Sequence, residues 1–270
     1  MIYENNILGI NTFEIEQGTE EWKRSRLGVI SASNAEILLM EDARAPLPDD
    51  IKIIEGSKRG ENIVIFQGKE FIGTKAKCID FVRDSLPRIP SLMKENYMLD
   101  LVGEICRGKP IDNVSFKQAE WGHLWEPVAR EAYEALKFER VEQCGFIYKD
   151  ESLRVGCSPD GLTDLCGLEI KNPVTDSVHL RAKLKGEIKP EYDIQCQFSM
   201  YVTGYQKWDF CSYHNEFRGC ADNRLVVIPQ SPRDEIFRKL EDAIPKFISE
   251  MDAILEIMGF KYGDQWLDVS

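Results

Sequence analysis

The chain has 270 residues, 43% of them hydrophobic and 30% charged, with a formal net charge of −12. That is enough apolar material for one large α/β domain. There is no run of about 18 apolar residues and no basic stretch followed by a hydrophobic one at the N-terminus, which excludes a membrane span and a signal peptide and predicts a cytoplasmic protein. The acidic balance runs against non-specific duplex binding unless a basic channel is set into an acidic exterior, and in that case strong salt sensitivity follows. Eight cysteines without a Cys-x-x-Cys pair read as reduced, packing thiols, and neither they nor the three histidines support an iron–sulfur cluster or a zinc site.

In chain order, Thr19 precedes Glu20-Glu21-Trp22-Lys23-Arg24-Ser25-Arg26-Leu27-Gly28, which predicts a short helix with acids in its first turn, bases in its last and a terminating glycine. Ser33 with Glu36 three residues on reads as a capping box opening a helix over 34–40. The free N–H groups of such a helix start, with Arg26 upstream, suit a phosphate; the competing reading is that Ser33 only caps its helix and Arg26 only covers a helix end. Residues 41–90 suggest a hairpin, 63–66 turning at Gln67-Gly68 into 71–72, and no chemistry. A helix over 91–107 is predicted with Leu92, Leu99, Val102 and Ile105 as its apolar positions. The segment 121–136 is an amphipathic helix whose stripe is Trp121, Leu124, Trp125, Val128, Ala132 and Leu136. Glu126 falls on its flank with Tyr133, ordinarily a solvated position, and Pro127 marks a helix start or a kink.

The most informative stretch is 157–173. Leu168-Glu169-Ile170-Lys171 alternates as a strand does, so Glu169 and Lys171 share one face while Ile170 packs on the other. Asp160 ends an extended run over 153–158 at a Pro-Asp-Gly turn, and a hairpin through 163–167 returns Glu169 alongside it. Two carboxylates beside one lysine suit Mg²⁺, with the Ile170 carbonyl as a natural third ligand, and such a site can hydrolyse a nucleic-acid backbone. The competing reading is a surface hairpin with an ordinary ion pair. A second copy, Glu187-Ile188-Lys189, serves as an internal control: flanked by Gly186 and Pro190 and without a Pro-Asp-Gly upstream, it reads as a solvated loop. Further on, 192–204 is a helix with Ile194, Phe198, Tyr201 and Val202 buried and with Gln195 and Ser199 on another face. Strands follow at 208–213 and 225–228, and a long helix over 232–258 is kinked or broken near Pro245. This order predicts an α/β fold, a mixed central β-sheet flanked by helices.

The motifs Glu16-Gln17-Gly18, Trp22, Arg26-Leu27-Gly28-Val29-Ile30-Ser31-Ala32-Ser33, Trp121-Gly122 with Glu126, Ser158-Pro159-Asp160-Gly161, Gly167-Leu168-Glu169-Ile170-Lys171, Gln195-Cys196-Gln197 and a tail of Gly259-Phe260 followed by Gly263-Asp264-Gln265-Trp266 occur in order. Together they resemble the bacteriophage lambda exonuclease family, the YqaJ-like viral recombinases. The resemblance implies a restriction-endonuclease-like core of the Pro-Asp…(Asp/Glu)-x-Lys type forming one nuclease domain over 1–270, with a family-variable insertion at about 41–90. It implies that Asp160, Glu169 and the Ile170 carbonyl hold Mg²⁺, for which Mn²⁺ substitutes, and that Lys171 orients or deprotonates the water. It implies a second ion supported by Glu126, a role for Gln195 in holding the nucleophile or the lysine, and a 5′-phosphate pocket of Arg26, Ser33 and Ser158. It further implies a ring-shaped homotrimer on double-stranded DNA ends, degradation of one strand 5′ to 3′ into mononucleotides, and a phage single-strand annealing protein as partner in the host cytoplasm. The sequence departs from the family pattern in the length of 41–90 and in Pro127.

Two other functions stay in view. A structure- or sequence-specific endonuclease on the same core would cut closed circles, and a non-catalytic DNA- or protein-binding module would have lost a metal ligand, whereas none is missing here.

Overall fold

The computed structural model describes residues 6–7, 10–111 and 116–267; residues 1–5, part of the stretch searched for a signal peptide, lie outside them. The chain divides into two units, one made of Met1–Leu39 with Tyr97–Ser270 and the other of Met40–Asn96.

In the larger unit a four-stranded mixed sheet runs in the order Gly161–Leu162, Gly167–Lys171, Trp208–Tyr213, Leu225–Gln230, with antiparallel, parallel and antiparallel pairings. Alternation sorts its side chains. Leu168, Ile170, Cys211 and Tyr213 pack with Ala129 and Tyr133 of the helix Phe116–Lys137. Trp208 and Phe210 join the main core with Cys196, Phe198 and Met200 of the helix Pro190–Thr203 and with the helix Asp234–Met258. The predicted strands at 208–213 and 225–228 are present, the second running on to Gln230. Gly167 is required by close approach, since a Cβ there would lie 2.1 Å from the Trp208 ring.

A three-stranded sheet pairs Ile30–Ser31 parallel to Val155–Cys157, which in turn is antiparallel to Ile147–Tyr148. The helix Glu20–Ser25 has Thr19 as its N-cap, accepting from the Trp22 N–H, and the turn after it carries Gly28 at φ +67°, as the terminating glycine requires. The 3-10 turn Asp264–Trp266 docks on this helix: Trp266 Nε1 donates to the Arg24 carbonyl at 2.9 Å, and Gln265 Nε2 to the Leu27 carbonyl at 3.2 Å.

Four expectations are corrected. Ser33 does not open a helix: it sits inside a 3-10 turn, Ala32–Asn34, whose N-cap is Ser31, and the α-helix behind it is Ala35–Leu39, so the Ser33/Glu36 capping box is absent. In the helix Leu92–Arg107, Leu92 and Leu99 are exposed and the inner face is Tyr97, Met98, Leu101, Val102 and Ile105. In Phe116–Lys137, Leu124, Val128 and Leu136 are exposed, while Ala129, Arg130 and Tyr133 are buried. That helix is rotated by about one residue position from the apolar stripe, because its buried polar group on the inner side has a fixed partner: Tyr133 donates to Asp209 Oδ2 at 2.9 Å, and the exposed Lys137 reaches the same carboxylate at 2.8 Å. Finally, Asp234–Met258 runs through Pro245 and Phe116–Lys137 through Pro127 as unbroken helices, so of the expected kink or break at Pro245 the break is absent, and Pro127 does not start its helix.

The smaller unit is a meander of Ile53–Glu55, Asn62–Phe66 and Lys69–Gly73 covered by the helix Lys75–Ser85. Val64, Cys78 and Val82 form its core, and the Phe71 and Phe81 rings stack at 4.9 Å. Its predicted turn is present, with positive φ at both Gln67 and Gly68 as a two-residue hairpin turn of this type needs. The stretch 41–90 lies within this unit. Among the described residues no helix is long and apolar enough to cross a membrane, and all eight cysteines are free thiols.

Candidate active site

The hairpin sets the site. Gly161 pairs with Leu168, and the Asp160 N–H donates to the Leu168 carbonyl at 3.1 Å, so Asp160 stands at the end of the short strand opposite Glu169-Ile170. Its Oδ2 accepts from the Ile170 N–H at 2.5 Å. Backbone groups two residues apart on a strand return to the same edge, so the Ile170 carbonyl faces the edge on which Leu168 meets Asp160. Glu169 is 1% exposed and its Oε1 lies 2.6 Å from Lys171 Nζ.

The rotated helix brings in Glu126. Arg130, one turn on, donates to Glu126 Oε1 at 2.5 Å and, through Nε, to the Asp160 carbonyl at 3.0 Å. Gln143, with its amide oxygen turned to the guanidinium, accepts from Nη1 and Nη2 at 2.5 and 2.9 Å. One buried cation thus ties the helix acid to the turn that carries Asp160.

The electrostatics record the crowding. Burial, with the Asp160 charge added, pushes the Glu126 carboxyl up to about 7 despite Arg130. Burial raises Glu169 to about 8; Lys171 opposes this, while Asp160 and Glu126 reinforce it. Burial works against the Lys171 ammonium, yet Glu169 and Asp160 outweigh it and hold the group above its ordinary value. Three carboxylates set against two cations, Lys171 and Arg130, crowd negative charge into a desolvated place, and this is what a divalent cation relieves.

The three phosphate-pocket candidates come from separate segments. Arg26 lies over the Trp22 ring, 4.1 Å from its centroid, and its buried Nε has no hydrogen-bond partner among the described residues. Burial lowers its pKa from the ordinary arginine value, against the pull of Tyr97 and Glu104. Trp22 Nε1 donates to Ser158 Oγ at 3.0 Å, which joins Arg26 and Ser158 through one indole. Ser33 is exposed, its hydroxyl 3.1 Å from that of Ser31, whose strand is paired to the one leading into Ser158. Gln195 is half-buried on the Pro190–Thr203 helix, one turn from Tyr192, whose ring centroid lies 5.3 Å from Lys171 Nζ; among the described residues Gln195 makes no hydrogen bond to that lysine.

Sequence reasoning missed Arg130, Gln143 and Tyr192. It also gave no role to Gln17, whose Nε2 donates to the carbonyls of Cys144 and Pro159, both at 2.8 Å, and so pins the residue before Asp160. The signal available for Arg130 was its place four residues after Glu126, the spacing of a helical ion pair.

The YqaJ-like viral recombinase domain model matches residues 90–206, which include Glu126, the acid hairpin and Gln195. The uncharacterized Escherichia coli (strain K12) protein ExoD is 30% identical over 79 residues, which are 29% of this chain and 87% of ExoD. The alkaline exonuclease LHK-Exo from Laribacter hongkongensis is 26% identical, with a TM-score of 0.64 over 89% of this chain and 96% of that one, and the same enzyme has been solved with dAMP. A phage related exonuclease from Haemophilus somnus 129PT shares the fold at 11% identity, with a TM-score of 0.53 over 85% of this chain and 96% of that one. A relative matched over most of its length, a domain model lying across the acid helix and hairpin, and a nuclease fold shared almost end to end agree with the motifs in the sequence: this chain belongs to the YqaJ-like viral recombinase family.

Proposed function

We propose that this protein is a Mg²⁺-dependent exonuclease that degrades one strand of duplex DNA from 5′ to 3′, releasing 5′-mononucleotides and leaving 3′ single strands for phage-type recombination. The observation that carries this is the hairpin meeting of Asp160 with Glu169-Ile170-Lys171, with Glu126 tied to the same turn through Arg130. Family membership and the exonuclease names of LHK-Exo and the Haemophilus somnus protein support the reaction class.

The donor set fits a hard cation. Asp160 and Glu169 offer carboxylates and Ile170 a main-chain carbonyl. Among the described residues no group of three or more His, Cys, Asp or Glu side chains could hold a metal ion, so water and substrate oxygens would complete the shell, as Mg²⁺ prefers and Mn²⁺ tolerates. When bound, the metal supplies Lewis-acid activation of the phosphodiester and of water. Lys171, paired to Glu169, positions the attacking water as a donor and offsets charge that develops on the phosphate. Glu126 serves a second ion from the helix, and Gln195 helps hold the nucleophile or the lysine.

Arg26, Ser33 and Ser158 take the 5′-phosphate. The Trp22 N–H occupies the Ser158 oxygen, which leaves the hydroxyl proton to point onward, and Arg26 Nε is a buried donor without an acceptor among the described residues. The same reading extends to a ring homotrimer threaded by duplex DNA, to a single-strand annealing protein as partner, to 41–90 as a family-variable insertion, and to a phage- or prophage-encoded enzyme of the host cytoplasm.

The test is digestion of linear duplex DNA with 5′-phosphate or 5′-hydroxyl ends beside a closed circle, with and without Mg²⁺. Mononucleotides should appear from the phosphorylated linear ends and only with metal. Cutting of the circle would make the protein an endonuclease, and no cleavage of any substrate would leave a binding module.

A further inference from the structure

The second Glu-Ile-Lys lies close to the first. A cavity of about 360 Å³ opens beside Lys171, lined among others by Arg181, Lys189, Tyr192, Phe210 and Ser212. Phe210 and Ser212 are the register partners of Glu169 and Lys171 on the parallel neighbour strand, so they show their side chains on the same face. Across the sheet the order is therefore Asp160, then Glu169 and Lys171, then the cavity, one strand spacing of about 5 Å further on.

The cavity wall is basic in an acidic protein. Lys171, Arg181 and Lys189 face it against the single carboxylate Glu187, while the whole chain carries −12. Lys171 and Lys189 each place Nζ 5.3 Å from the Tyr192 ring centroid, one aromatic wall holding two ammonium groups, and that ring stacks on Phe210 at 5.9 Å. Arg181 forms no ion pair among the described residues. The pairs at the rim, Lys189 with Glu191 at 3.4 Å and Lys185 with Glu187 at 3.6 Å, are exposed and easily exchanged for a phosphate. The helix Pro190–Thr203 also begins at this wall without a side-chain cap.

We propose that this cavity is a second phosphate subsite, in which Arg181 and Lys189 bind the backbone phosphate of the cleaved strand on the 3′ side of the cut. Resting on the exonuclease reading, it gives that strand a second hold, its continuing phosphate in the cavity beside Lys171 in addition to its terminal phosphate at Arg26 and Ser158. The control motif is then part of the substrate path, through its lysine alone.

The test is binding of a fluorescent 5′-phosphorylated duplex in EDTA as a function of KCl, for the full chain, the Arg181→Ala/Lys189→Ala double variant and Lys189→Arg, with cleavage in Mg²⁺ measured separately. Each lost phosphate contact lowers the slope of log affinity against log salt by about one. The double variant should lose about one unit of slope and raise KM more than it lowers kcat, and Lys189→Arg should keep both. An unchanged slope would overturn the subsite while cleavage by the unaltered chain leaves the exonuclease reading standing. A slope change in a protein that cuts nothing would keep the subsite and remove the exonuclease reading, and a chain that binds no duplex would overturn both.

Discussion

The same tripeptide, Glu-Ile-Lys, occurs at 169–171 and at 187–189, and the two copies fold into different things. The first is a strand buried between two neighbours: Glu169 is almost without solvent, Ile170 is packed under the Phe116–Lys137 helix, and Asp160 hydrogen-bonds the backbone between them. The second follows the αL glycine that ends the helix Asp176–Lys185, and its charges are exposed and paired to sequence neighbours. Spacing is identical, so spacing is not what makes a carboxylate site. What makes it is a partner strand that delivers a second acid, and burial that leaves the acids no solvent to share their charge with.

The comparison breaks most sharply under substitution of the acids. Glu169→Gln or Lys171→Ala should lower kcat by about 10²–10³-fold or more, with duplex binding kept, whereas Glu187→Gln should leave cleavage and melting temperature near their starting values; equal losses at 169 and 187 would contradict the account. Next in size is Arg130, which holds Glu126 and the Asp160 turn without touching the reacting atoms. Arg130→Met should cost roughly 10–100-fold in activity and in Mn²⁺ affinity, with part recovered in Arg130→Lys, and a variant that only melts lower at full metal affinity would return Arg130 to structure.

Smaller effects separate the two glycines. Gly167→Ala forces a methyl into the Trp208 ring and should cost about 1–3 kcal/mol in denaturant unfolding. Gly186→Ala meets nothing and should cost only the αL strain of about 1–2 kcal/mol. Arg26→Ala should narrow the rate difference between 5′-phosphate and 5′-hydroxyl ends by about tenfold, the worth of one charge-assisted hydrogen bond of ~1.5 kcal/mol; a difference left intact would restrict Arg26 to packing on Trp22.

What was legible in the sequence is what local rules decide. The Pro-Asp-Gly turn and the alternation around Ile170 were enough to bring Asp160 beside Glu169, and Thr19, Gly28 and Gln67-Gly68 marked their helix end or turn through capping and positive φ. The control motif was legible as a solvated loop, but not that its lysine reaches the ring that Lys171 also meets. Ser33 misled because a Ser with a Glu three residues on has the form of a cap, whereas the chain enters the helix through a 3-10 turn begun at Ser31. The rotation of Phe116–Lys137 was illegible for a reason of energy. Its apolar stripe is the obvious face to bury, but the buried cation Arg130 and the Tyr133 hydroxyl have partners only on the other side, and leaving them unpaired costs more than exposing Leu124 and Leu136. The joining of Arg26 to Ser158 by Trp22 depends on segments more than a hundred residues apart, beyond any periodicity.

The most direct test of the central claim is calorimetric titration of Mn²⁺ into the full chain and its Asp160→Asn, Glu169→Gln and Glu187→Gln variants. Mn²⁺ should bind the unaltered chain and Glu187→Gln alike and should bind the other two weakly or not at all. Equal binding by all four, or binding lost only with Glu187, would contradict that claim.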